Sequence, residues 1–121
     1  MNTIWYLSAC STCHRIMNEL GITEKNFRLQ DIKTEAISEE QIDGMKALSG
    51  SYEALFSKIA RKYRAMGLGD KKLTEADYRA LILEEYTFLK RPVIIVEKAG
   101  AKHIFIGNAP KNVAAAMALL K

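Results

Sequence analysis

The sequence has no run of about 18 consecutive apolar residues, the length a membrane-crossing helix needs, so no membrane association is expected. It has no Lys/Arg tract with interleaved aromatics. Its 18 basic and 14 acidic residues leave a formal charge of only +4, spread over helical stretches, which argues against direct nucleic-acid binding. Low-complexity runs are missing too, and a 49% hydrophobic share beside 26% charged residues describes a chain that folds around a core. The N-terminus lacks the charged, apolar and small-residue regions of a signal peptide, so the expected location is cytoplasmic. Metal-binding side chains are scarce: Cys10, Cys13, His14 and His103 are all the cysteines and histidines there are. A structural zinc site usually takes four such ligands, and adjacent Cys13 and His14 on a helix would diverge by about 100 degrees. Zinc would be strained, and no metal site is assigned.

A length of 121 residues fits one domain. Thr3 to Leu7 (TIWYL) is a short β-branched and aromatic run, followed by a helical pattern with Ile16, Met17 and Leu20 on one side and Gly21 as its stop. Asn26 to Asp31 (NFRLQD) alternates as a second strand, completing a β-α-β unit whose strands are expected to be parallel. The middle of the chain carries no strand signal. Ser38 with Gln41 forms a candidate capping box, Tyr52 to Met66 has helical spacing, and Thr74 with Asp77 opens another helix. After Arg91-Pro92 come β-branched Val93 to Val96, an Ala99-Gly100 turn, His103 to Ile106, and a last helix opened by Pro110. This order, β-α-β, a helical block, then β-β-α, matches an α/β thioredoxin-like (glutaredoxin-like) fold. A mixed four-stranded sheet would come from residues 1–33 and 90–121, with residues 34–89 as a helical insertion. Pro92 stands where that fold carries a structural cis-proline.

The chemistry is concentrated in ACSTCHRI, residues 9–16. C-x-x-C-H can attach haem, but that requires export machinery for which the chain shows no signal. A phosphatase loop places five residues between its cysteine and arginine, whereas four separate Cys10 from Arg15. A redox or nucleophilic thiol needs only a stabilised thiolate. Backbone N–H groups at a helix start, around Ser11 and Thr12, and a cation such as Arg15 or Arg91 would stabilise it at Cys10. Cys13, one turn along the same face, is then placed to resolve a mixed disulfide. The plain alternative is two ordinary reduced cysteines, and His14 and His103 read as surface or strand residues.

The segment Cys10-Ser-Thr-Cys13, the stretches FRLQDIK (27–33) and YRAMGL (63–68), and Arg91-Pro92-Val-Ile-Ile together resemble the arsenate reductase (ArsC) and Spx family over nearly the whole chain. The resemblance implies that Cys10 is the nucleophile and that Arg91 binds an anionic group. Where the family's first arginine is expected the chain reads Phe56-Ser57-Lys58, so Lys58 could contribute a point charge without a bidentate fork. Gly107 to Pro110 occupies the region of the third. Losing such donors costs about 10²- to 10³-fold in rate each, so efficient arsenate reduction is not expected. Two readings stay open. One is an oxidoreductase acting on a disulfide, a glutathione adduct or an oxyanion. It would bind no cofactor and draw electrons from glutathione, thioredoxin or glutaredoxin. The other is an Spx-like redox sensor whose dithiol governs a contact with RNA polymerase, with Gly50 either in the partner surface or simply in a turn.

Overall fold

The computed structural model describes residues 2–120. Its elements run β1 (Asn2–Tyr6), α1 (Ser11–Leu20), β2 (Phe27–Asp31), α2 (Glu39–Ser49), α3 (Arg61–Ala65), α4 (Glu75–Glu84), β3 (Val93–Lys98), β4 (Ala101–Ile106) and α5 (Pro110–Leu120). They gather into two compact units, Met1–Glu35 with Arg91–Lys121, and Ala36–Lys90.

The first unit holds a four-stranded sheet of order β2-β1-β3-β4, in which β1 and β2 are parallel and the other neighbours antiparallel. A parallel pair cannot be joined by a tight turn, and α1 supplies the crossover. Strand alternation sends Ile4, Phe27, Ile94 and Val96 to one face, where they form a core with Ile16 and Met17 of α1 and Val113 of α5. Gly21, left-handed at φ 68°, ends α1 by donating its N–H to Asn18 O. The β3–β4 hairpin turns on two residues with positive φ, Ala99 (53°) and Gly100 (78°), the pattern that matches the twist of the flanking strands.

The second unit contains α2, α3, α4 and three short 3₁₀ turns, Glu53–Leu55, Leu68–Asp70 and Tyr86–Phe88. Ser38 and Thr74 open α2 and α4 through full capping boxes with Gln41 and Asp77. Phe56 sits at the centre, stacked on Phe88 (5.0 Å) and in contact with Tyr78 (4.8 Å) and Tyr63 (5.9 Å). On the surface Arg79 forks onto Asp43 at 2.8 and 3.1 Å and reaches Glu39 at 3.3 Å. The helical spacing of Tyr52 to Met66 does not become one helix. Phe56 is extended and bridges Leu89, Ser57 N–H donates to Phe88 O at 2.7 Å and Lys90 N–H to Leu55 O at 2.8 Å. This non-local pairing takes the backbone groups a helix would have used, and α3 forms only after extended Ala60.

Ile94→Ala, which hollows the core of the first unit, should cost about 2–5 kcal/mol. Ala99→Asn, which places a residue tolerant of positive φ in the turn, should gain up to about 1 kcal/mol. Urea unfolding with an unchanged m-value checks both.

Candidate active site

The sheet register decides which segments meet. Tyr6, the last residue of β1, is level with Asp31, the last of parallel β2, and Trp5 is level with Val93, the first of antiparallel β3. The loop leaving β1 therefore lies beside the end of β2 and beside the Arg91–Pro92 step that enters β3. That peptide bond is cis, and Pro92 O accepts the N–H of Gly107 at 2.9 Å.

Within the loop the N–H of Cys10 donates to Leu7 O at 2.9 Å, and Cys10 itself is the extended N-cap of α1 (φ −93°, ψ 110°). A helix start leaves its first N–H groups without intrahelical partners. Those of Cys13 and Thr12 face the Cys10 sulfur, although neither closes a full capping hydrogen bond. Partial burial pushes the Cys10 pKa up. The Cys13 N–H and thiol, the Thr12 N–H and the Arg91 charge outweigh it and hold the group below its ordinary 9.0. Cys13 is fully buried and both thiols are free. Burial drives Cys13 up to about 11, despite the Leu7 N–H, and the neighbouring Cys10 sulfur adds to the rise while Arg91 offsets part of it. The pair is thus split into one thiol poised to ionise and one held protonated.

Cys10, Thr12, Cys13, Arg91 and Pro92 are brought together at this edge. Ser11 is the exposed first residue of α1, and the N–H groups facing the sulfur are those of Thr12 and Cys13. Lys58 belongs to the helical unit, where its Nζ lies 2.9 Å from Glu53 Oε2 and that carboxylate raises its pKa. At Gly107 to Pro110 the loop is held by Asn112, whose Nδ2 donates to the carbonyls of Ile106 and Gly107 at 3.1 Å. Gly50 is the left-handed cap of α2 (φ 94°). His103 is exposed on β4. Among the described residues no group of three or more His, Cys, Asp and Glu side chains could hold a metal ion, and no helix is long and apolar enough to cross a membrane.

Sequence reasoning missed three residues at this edge. Asp31 accepts from the hydroxyl and N–H of Ser8 and from the N–H of Lys33, and these bonds outweigh its partial burial to keep its carboxyl below the ordinary range. His14 Nε2 lies 2.6 Å from Ser8 O, and since a carbonyl only accepts, that nitrogen carries the proton. The apolar run before Cys10 hid Ser8, and no motif spacing links residues 8, 14 and 31.

Iodoacetamide at neutral pH should alkylate Cys10 of the reduced protein well ahead of Cys13, as read by peptide mass spectrometry. Cys13→Ala, which removes the thiol donor but keeps the N–H, should move the Cys10 profile to higher pH, and Cys13→Ser should move it less. Between pH 9.0 and about 11 the unfolded chain has released the Cys13 proton while the folded chain retains it, so reduced protein loses stability across that window. Cys13→Ala should remove that part of the loss in alkaline urea titrations.

The model of the ArsC family matches residues 5–116. A search of curated proteins finds no match. Among solved structures, an ArsC family related protein from Bacteroides fragilis aligns with TM-score 0.75 at 22% identity, over 95% of this chain and 96% of that one. An arsenate reductase from Vibrio cholerae aligns with TM-score 0.73 at 19% identity, over 94% and 95%. An arsenate reductase (ArsC) related protein from Brucella melitensis aligns with TM-score 0.64 at 22% identity, over 94% and 92%. At these identities the structural likeness concerns the fold, which is thioredoxin-like.

Proposed function

The chain belongs to the ArsC family, and from that premise we propose that it is a thiol-dependent oxidoreductase with Cys10 as nucleophile and Cys13 as resolving thiol. The observation that supports this most is the opposite displacement of two thiols three residues apart, one lowered and one raised to about 11. Toward a disulfide R–S–S–R′, the Cys10 thiolate attacks one sulfur, the S–S bond breaks, and R′S⁻ leaves to take up a proton. With Cys10 in the mixed disulfide, burial still raises the Cys13 pKa, but the part of the rise that came from the neighbouring Cys10 sulfur is gone and the pKa falls. Cys13 then loses its proton and attacks the Cys10 sulfur, releasing RS⁻ and leaving a Cys10–Cys13 disulfide. The substrate has gained two electrons, which two external thiols, or one dithiol of the thioredoxin class, return to the protein.

Arg91 is the cation that would hold the carboxylate of a glutathione adduct or the charge of an oxyanion, since its planar fork suits both. Thr12 and Cys13 N–H groups would support the same negative charge. The ion pair of Lys58 with Glu53 and the Asn112-held loop at Gly107 supply no equivalent of a second and third guanidinium, which favours a disulfide or glutathione adduct over arsenate. Cytoplasmic action fits the need for a reducing thiol pool.

A second reading has one observation in its favour, the free local C-x-x-C dithiol. In an Spx-like sensor the same pair would switch contact with RNA polymerase, and polymerase pull-down would depend on its oxidation state with little turnover of any small substrate.

In a glutathione- or thioredoxin-coupled disulfide assay, Cys10→Ser should fall to background and Cys13→Ser should accumulate the mixed disulfide on Cys10. Arg91→Met should raise KM for glutathione adducts more than for uncharged disulfides. Arsenate turnover should stay weak. Full activity in Cys10→Ser would remove the proposed nucleophile.

A further inference from the structure

Ser8, two residues before Cys10, has all three of its polar groups engaged. Its N–H and hydroxyl donate to the Asp31 carboxylate at the end of β2, and its carbonyl accepts from His14 Nε2 of α1 at 2.6 Å. Both anchors are themselves held. Asp31 Oδ1 accepts Lys33 N–H at 3.2 Å, and Ile32 N–H donates to Tyr6 O at 2.9 Å, so the end of β2 is tied to the end of β1. The His14 ring meets Tyr6 edge-on at 6.2 Å. The loop between β1 and α1 is thus gripped from the sheet on one side and from the helix on the other.

We propose that Asp31 and His14 are positioning residues for the Cys10 nucleophile: clamping Ser8 from β2 and from α1, they fix the Leu7–Cys10 turn in the orientation that aims the Thr12 and Cys13 N–H groups at the sulfur. This rests on the reading of Cys10 as the nucleophile. Neither residue touches the sulfur's proton. They act through the backbone of Ser8, because a rotation of that peptide carries Cys10 away from the helix start, and dipole stabilisation falls off within the first turn.

Asp31 gives a test in which two explanations differ in sign. The charged and titratable groups that face Cys10 are Cys13 and Arg91, while Asp31 faces Ser8 and Lys33. If Asp31 acted only through its negative field, removing it would make Cys10 easier to ionise. If it holds the turn, removing it makes Cys10 harder to ionise. His14 does not separate the two, because loss of a ring that can carry positive charge acts in the same direction as loss of the clamp.

The experiment is the pH profile of Cys10 alkylation by iodoacetamide, measured on the full reduced chain by peptide mass spectrometry. In Asp31→Ala the profile should move to higher pH, with alkylation at neutral pH roughly three- to tenfold slower. Asp31→Asn, which keeps one oxygen acceptor for Ser8, should move it in the same direction by less, and it decides the question if the alanine variant does not fold. A profile that stays in place or moves to lower pH in the folded variant overturns the clamp, whatever happens to the melting temperature. The nucleophile reading fails separately, by retained turnover in Cys10→Ser, an outcome the alkylation profile does not share.

Discussion

The electrostatics of the candidate site depend on the first turn of one helix and the cysteine at its N-cap. Peptide dipoles aligned along an α-helix place roughly half a positive charge at its N-terminus, concentrated on N–H groups that have no partner within the helix. In α1 no acidic side chain occupies the first turn to cancel that charge, and Arg15 is directed down the helix toward Glu19 at 3.9 Å. The sulfur of Cys10 is left as the group on which the N–H donors act, with Arg91 arriving from the opposite strand. Burial works against ionisation at both cysteines. It loses at Cys10, where donors converge, and wins at Cys13, which is sealed in the first unit and close to a sulfur that carries the charge.

An arrangement of this kind needs a rigid support. Ile16 and Met17 bury one side of α1 against Ile4, Phe27, Ile94 and Val96 of the sheet, and that packing fixes the helix axis relative to β1. The sheet register sets the remaining geometry, since parallel β2 brings Asp31 level with Tyr6 and antiparallel β3 brings Arg91 and Pro92 beside the loop after Trp5. The candidate site thereby lies at the end of the sheet where the loops leave it, while the strands behind carry the apolar contacts. The helical unit is stabilised independently, by the aromatic cluster at Phe56 and by the Arg79 fork on Asp43, which together with the Tyr52 hydroxyl holds that carboxyl at about 2.

Local signals were readable wherever one short segment contained the whole cause. The Ser38/Gln41 and Thr74/Asp77 boxes, Gly21 as a helix stop, and Ala99-Gly100 as a two-residue turn each depend on neighbours in sequence, and each is present. The four-stranded mixed sheet followed from the order of these elements. Periodicity failed over Tyr52 to Met66 because Phe56 pairs with Leu89, more than 30 residues away, through the flanking bonds of Ser57 N–H to Phe88 O and Lys90 N–H to Leu55 O, and apolar spacing does not register such a bridge. The candidate site was readable at Cys10, Cys13 and Arg91, where residue type and place along the chain coincide. It was unreadable at Ser8 and Asp31, whose connection exists only once β1 and β2 are side by side.

Selective ¹³Cβ labelling of both cysteines and a titration of the reduced protein by NMR would read the two sulfurs separately. Cys10 should ionise below 9.0 and Cys13 should hold its proton to about 11. Two coincident titrations near the ordinary thiol value, or a Cys13 that ionises before Cys10, would contradict it.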